Sequence, residues 1–428
     1  MASAAVGGSH LVASTQAGAL YGWQLAGLIL LVNLFKYPFI YAGTQFTASS
    51  GKSLVEGYFE LGRRHLLMFF IFMLISSFIN TAALMMFSAS LLEYFFPLAA
   101  SKVQLFLGVL IVTCIVLITG KYKALDFLSK MTMLILTLTT VFAVTLAFQK
   151  YSLSSSVVMR DSPWTIGTIG FLIITMGWMP APIEISTLTS MWLKKKVQHQ
   201  DVEPHTIKTD FHVSYISTIV LALLFLSLGA LVFKGSEDQM IQGSVGFTHQ
   251  LVNLYSSVTG DWSKYIIALI AFLCIYGSAI TILDGYGRVL SESFSLLVSA
   301  KSDDYSTYYI FWILFVSTGT GVIVVTSIGS LKDMLHFTMI AAFLMTPVFA
   351  WLNYRVLNST ELNSTFRVTY GLNLLTKLGF VYLVGFCLLF GMWLVLGQPS
   401  GRLIGSILLQ VRESNKVGLS KHLSALVP

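Results

Sequence analysis

The sequence predicts an all-α polytopic membrane protein with about 11 transmembrane helices, arranged as a 5+5 inverted repeat with broken helices 1 and 6. Three observations carry that prediction. Of 428 residues, 55% are hydrophobic and only 11% are charged, whereas a soluble domain carries about 25% charged residues. Mean hydropathy is +0.78, and the apolar residues gather in runs close to the roughly 20 residues that span a hydrocarbon core as a helix. Two of these runs, at matching positions of the two halves, are interrupted by glycine or proline.

In chain order the crossings are read at residues 2–19, 23–47, 65–92, 103–119, 125–148, 164–193, 211–233, 263–294, 306–328, 333–356 and 376–397. Residues 1–148 form the first repeat and 164–356 the second; 376–397 is an extra helix and 398–428 a tail. Within the tail, Leu403 to Val411 is too short to cross and reads as an interfacial amphipathic piece. With the N-terminus inside, the inner loops carry thirteen Lys and Arg against six in the outer loops. The positive-inside rule favours that orientation and puts residues 235–262 outside.

The same bias explains the net charge of +7 without any nucleic-acid partner. Cys114, Cys274 and Cys387 all fall in apolar spans, so neither a disulfide framework nor a cysteine metal motif is expected. Residues 1–5 have no basic n-region of a cleavable signal. No nucleophile–base set, phosphate loop or paired-histidine motif points to an enzyme. The expectation is a multi-pass integral membrane protein, in the plasma membrane or a bacterial inner membrane. Its surroundings are lipid, it needs no cofactor, and it acts as a monomer on a small ion or solute.

Crossing 6 contains Met176-Gly177-Trp178-Met179-Pro180-Ala181-Pro182-Ile183-Glu184. Pro180 and Pro182 each lack an N–H and clash with the carbonyl four residues back, so the helix breaks there. Each carbonyl left unpaired in lipid costs several kcal/mol, so broken backbone persists only where protein or a polar cavity covers it. Glu184 lies just past the break, where an ionisable group is functional by default. A capping carboxylate at the second half-helix is its plainer role. Crossing 1 is interrupted at Gly7-Gly8-Ser9-His10. Interrupted helices in two inverted halves mark a transporter's central site, and the pattern is that of a LeuT-type secondary transporter.

Candidate site groups follow from these breaks: Gly7, His10, Met176, Met179 and Glu184, with Gly8, Ser9, Pro180, Ala181 and Pro182 forming the breaks themselves. The His10 imidazole can bind a metal or a carbonyl. Met176 and Met179 are soft donors suited to late transition metals, and also common gap fillers. Asp284 stands four residues before Arg288, a spacing that permits an intrahelical ion pair, with proton coupling as the alternative role. Lys36 lies in an apolar run and is expected to snorkel or pair with a carboxylate. Asp126 and Lys130 have i,i+4 spacing, and His336 is a further candidate lining group.

The stretch Gly7 to Ala19, ending Gln16-Ala17-Gly18-Ala19, resembles helix 1 of the Nramp family of divalent-metal transporters. There an Asp-Pro-Gly-Asn run precedes a Gln-Ala-Gly-Ala-like turn. Ser49 to Gly57 is similar to that family's loop after helix 2, and Met179-Pro180 to the start of its Met-Pro-His motif in helix 6. Gly277 to Gly285 resembles its helix 8 more loosely. The likeness implies the family's fold over nearly the whole chain. It also implies departures. The family's metal-binding Asp falls on Gly7, its Asn on His10 and the motif His on Ala181. Between Arg64 and Glu93 the acidic residues linked there to proton movement are missing. Only six residues precede Gly7, fewer than the roughly 10 to 12 that a half-helix needs, so a misassigned start or a fragment is expected.

Function is therefore read as secondary transport of a divalent metal cation by alternating access, at an altered Nramp-like site. Two alternatives keep the scaffold: transport of a small organic or anionic solute, and a non-transporting membrane sensor.

Overall fold

Glycine, proline and short polar caps set several of the helix ends. The computed structural model describes residues 9–96, 101–120, 122–151, 161–199, 202–233, 244–298, 305–326 and 331–396, and the regular elements among them are helical. Gly7, Gly8 and the tail from 398, with its expected interfacial piece, lie outside the described residues.

A π-helical turn at Ser9–Ser14 leads into α1 (Thr15–Tyr21), which stops at Gly22 in positive φ. A 3-10 turn, Gly22–Leu25, then hands the chain to α2 (Ala26–Ser50). Gly51 ends α2 in the left-handed conformation, the usual C-terminal stop. Ser53 and Glu56 form a reciprocal capping box that starts α3 (Leu54–Glu60). Next come α4 (Arg63–Glu93), α5 (Lys102–Ile118) and α6 (Tyr122–Tyr151), with α5 started by a second capping box between Ser101 and Gln104.

The second half holds α7 (Ile169–Gly177), α8 (Ile185–His199) and α9 (Pro204–Val232). Pro204 opens α9, where a missing N–H has no partner to lose. The remaining helices are α10 (Ser244–Thr259), α11 (Lys264–Val298), α12 (Tyr305–Thr326), α13 (Leu331–Ser359) and α14 (Tyr370–Leu396).

Among the described residues, eight stretches are long and apolar enough to cross a membrane, the first running from His10 to Ser50 through α1 and α2. Helices α5 and α7 are shorter apolar helices. The expected crossing at 164–193 is split into α7 and α8, as its two prolines require. Two helices were not expected: α3, and α10 within the predicted outer loop 235–262. Both are too short to register as a 20-residue apolar run.

Helix α11 lies along α4, and α9 along α1. The α1 and α9 backbones approach closely at two glycines: a Cβ on Gly18 would come within 2.0 Å of the Leu226 carbonyl oxygen, and one on Gly229 within 2.3 Å of that of Thr15. Small residues allow such approaches where lipid supplies no hydrophobic drive between helices. Helix α14 is peripheral and turns Val381, Leu388, Met392 and Val395 outward, whereas α2, α4, α8 and α11 enclose a buried polar centre around the α7–α8 break.

Candidate functional site

The break runs from Trp178 to Glu184, between the end of α7 and the start of α8. The Met176 and Gly177 carbonyls are not paired along the helix, because Pro180, four residues after Met176, has no N–H to give and α7 ends at Gly177. They are served by a side chain from another helix. Lys36 of α2 is fully buried, and its Nζ lies 2.7 Å from the Met176 carbonyl oxygen, 2.8 Å from that of Gly177 and 3.4 Å from that of Ala181. Three acceptors call for three N–H donors, which the ammonium form of lysine supplies. The charge also sits at the negative end of the α7 half-helix, where a cation is favoured. The Phe343 ring, 6.0 Å away, covers the same group. Lys36 therefore neither snorkels nor forms a direct ion pair. It stands ten residues into α2, about 15 Å from the helix start, too deep to reach an interface.

Glu184 closes the other end of the break. Ser76 Oγ lies 2.6 and 2.5 Å from its two carboxylate oxygens, Tyr286 donates its hydroxyl at 2.5 Å, and Asn80 Nδ2 is at 3.1 Å. Asn80 also accepts the indole N–H of Trp178 at 3.0 Å. The carboxylate is thus held by α4 and α11, and Lys36 is close enough to act on it electrostatically. Gly177 allows the break to sit where it does: a Cβ there would come within 2.0 Å of the Met339 carbonyl oxygen of α13.

A family model described as natural resistance-associated macrophage protein-like matches residues 1–393. The chain belongs to the Nramp family. It is 42% identical over 395 residues to an uncharacterized protein of Pasteurella multocida (strain Pm70), covering 91% of this chain and 90% of that protein. Among solved structures, mutant forms of the Eremococcus coleocola manganese transporter superpose with a TM-score of 0.65 at 14% identity, covering 98% of this chain and 90% of theirs. The same transporter in complex with an aromatic bis-isothiourea substituted compound gives a TM-score of 0.63 with the same coverage. The fold is the LeuT-type fold, the protein is a multi-pass integral membrane protein, and Nramp is a family of transporters rather than enzymes.

In this Nramp chain the expected site residues are distributed as follows. Gly7 and Gly8 lie outside the described residues, and Ser9 opens the π-helical turn. His10 is buried, with Nε2 3.0 Å from the Thr218 carbonyl oxygen of α9. Met179 receives the Ser14 hydroxyl at 3.8 Å, linking the two interrupted segments. The Met176 sulfur is turned toward α14, where it accepts the Tyr382 hydroxyl at 2.9 Å, so only its carbonyl belongs to the break. Pro182 accepts the first N–H of α8 through its carbonyl. Asp284 and Arg288 form a two-point ion pair, 2.8 Å on each arm, and Tyr309 donates its hydroxyl to Asp284 at 2.7 Å. His336 reaches Gln16 Oε1 at 3.2 Å. The Asp126 and Lys130 side chains are outside the described set.

Ser76, Asn80 and Tyr286 were missed from sequence, and Lys36 was assigned the wrong partner. A signal existed for the first two. Ser76, Ser77, Asn80 and Thr81 lie on adjoining turns of an otherwise apolar helix, and such polar groups in lipid seek a partner inside the bundle. Among the described residues no group of three or more His, Cys, Asp or Glu is placed to hold a metal. The donors at the break are instead carbonyls, one carboxylate and one thioether.

Proposed function

We propose that the chain is a secondary transporter that moves a divalent metal cation by alternating access, with its cargo site at the α7–α8 break. One observation carries this reading: the break has gathered the carbonyl oxygens of Met176, Gly177 and Ala181 around a positive charge, the Lys36 ammonium. A site shaped for an ammonium offers the oxygen donors that a metal ion also needs. Glu184 adds the negative charge, Met179 adds a soft sulfur, and His10 stands at the opposite interruption. The solved proteins sharing the fold are named manganese transporters, which makes manganese the first ion to try. Transport would rock one half of the fold against the other around the midplane site.

The test is flux. Purified protein in proteoliposomes should take up manganese or cadmium in a saturable way, and E184Q should slow both. Flux no higher than in empty liposomes, for every divalent ion tried, would refute the reading.

A second reading, transport of a small organic or anionic solute, has its own support. The Lys36 ammonium already occupies the carbonyls of the break, and among the described residues Thr15 Oγ1 and Gln16 Nε2 at the start of α1 are buried without a hydrogen-bond partner. Hydrogen-bonding groups of that kind suit an organic cargo. Uptake of such a solute, unaffected by divalent ions, would favour it.

A further inference from the structure

We infer that Lys36 is a tethered cation, standing in a carbonyl cage where a free cation would otherwise bind, and that a cargo cation must displace it. The second half of this inference rests on the metal-transport reading; the first half does not. The geometry is specific. A side chain from α2 reaches across to three carbonyl oxygens of the α7–α8 break, although the Glu184 carboxylate is close enough to act on it electrostatically. Among the described residues, Glu184 in turn takes its hydrogen bonds from Ser76, Asn80 and Tyr286 and from no lysine. The two opposite charges therefore have separate partners. Lysine serves the unpaired backbone, and the carboxylate serves the polar stripe of α4 and the hydroxyl of α11.

This division has a consequence for specificity. Uncovered carbonyls at membrane depth cost several kcal/mol each, so an empty cage would collapse or recruit an ion from solution. With Lys36 present the cage is filled at every cargo concentration. An incoming cation gains the carbonyls only as the ammonium leaves, and the flexible four-carbon stem of lysine permits that exchange. Lys36 then sets how strongly a cation must bind in order to be carried.

The experiment compares wild type with K36M in detergent, by thermal unfolding and by calorimetric titration. Removing the ammonium should lower the melting temperature of K36M. Ammonium or methylammonium at millimolar concentration should restore it, because both bring N–H donors to the cage. Tetramethylammonium, which has no N–H, should not, and wild type should respond to none of the three. If the lysine holds the cage nine-tenths of the time, manganese and cadmium should bind K36M roughly ten-fold more tightly than wild type.

The double variant K36M/E184Q separates cage from counter-ion. If it regains wild-type stability and loses the amine response, Lys36 merely balances Glu184 and the inference fails. If K36M shows no amine response, or cannot be recovered even when produced with methylammonium present, it fails as well. Amine rescue without divalent binding by either protein would keep Lys36 as the cation of the cage and remove the metal-transport reading instead.

Discussion

Trp178, in the break, donates its indole N–H to Asn80 Oδ1 on α4 across 3.0 Å. The same amide reaches Glu184 Oε1 at 3.1 Å and Tyr286 Oη at 3.0 Å. Asn80 thus spans the broken segment, touching its first residue and its last. In N80L the buried indole N–H and the buried carboxylate both lose this partner. Leaving a buried polar group unsatisfied costs about 1–3 kcal/mol. N80L should therefore lower the unfolding temperature measured by tryptophan fluorescence, while N80Q, which keeps both functions on a longer stem, should lower it less. Equal losses in the two variants would show that the amide bridge contributes nothing.

A second contact holds one end of the bundle. Lys194 of α8 lies 2.7 Å from Glu56 of α3 and 2.8 Å from Glu292 of α11, and Ser53 donates its hydroxyl to Glu292 at 2.9 Å. Hydrogen bonds to charged groups are worth about 1.5–3 kcal/mol, so K194A should loosen α8 from α3 and α11. Ser190, buried one turn earlier and bonded to Thr47, makes a sensitive reporter. In a background without native cysteines, S190C should react faster with a thiol reagent once K194A is added. An unchanged rate would mean that the ion pairs do not keep this end closed.

Gly177 marks the closest approach of α7 to α13. Its missing Cβ leaves room for the Met339 carbonyl oxygen, which would otherwise sit 2.0 Å from the added carbon. Since the obstacle is backbone, it cannot rotate away. Overpacking of this kind costs about 1–3 kcal/mol or more, and it pushes at the carbonyl that Lys36 uses. G177A should accumulate poorly, and what folds should melt earlier than wild type. Gly371, with nothing within 4 Å of its would-be Cβ, is the control: G371A should express and melt like wild type.

The helices were legible in the sequence because lipid imposes a simple rule, about 20 apolar residues for each crossing. The break at Pro180 and Pro182 was legible for an equally local reason, the absent N–H. The short helices α3 and α10 were not, since neither offers such a run. At the site the difficulty was of another kind. Glu184 announced itself as a charge in an apolar segment, whereas Ser76, Asn80 and Tyr286 are single polar groups whose use depends on which helix lies opposite. Periodicity within α4 puts Ser76 and Asn80 on one face but cannot say that α8 presents a carboxylate there. Lys36 illustrates the same limit. Its burial was readable, but its partners are backbone atoms some 140 residues away, namely the carbonyls of Met176 and Gly177 at separations of 140 and 141. No side-chain pattern records those.

Divalent-cation binding at the α7–α8 break is read most directly by calorimetric titration of manganese, cadmium and magnesium into the purified protein, E184Q and M179A. Wild type should bind these ions, E184Q should bind every one of them more weakly because the anionic donor is gone, and M179A should lose mainly cadmium, the softest of the three. Wild type that takes up none of these ions, while an anion or small organic solute binds and loses affinity in the same two variants, would contradict divalent-cation binding at the break.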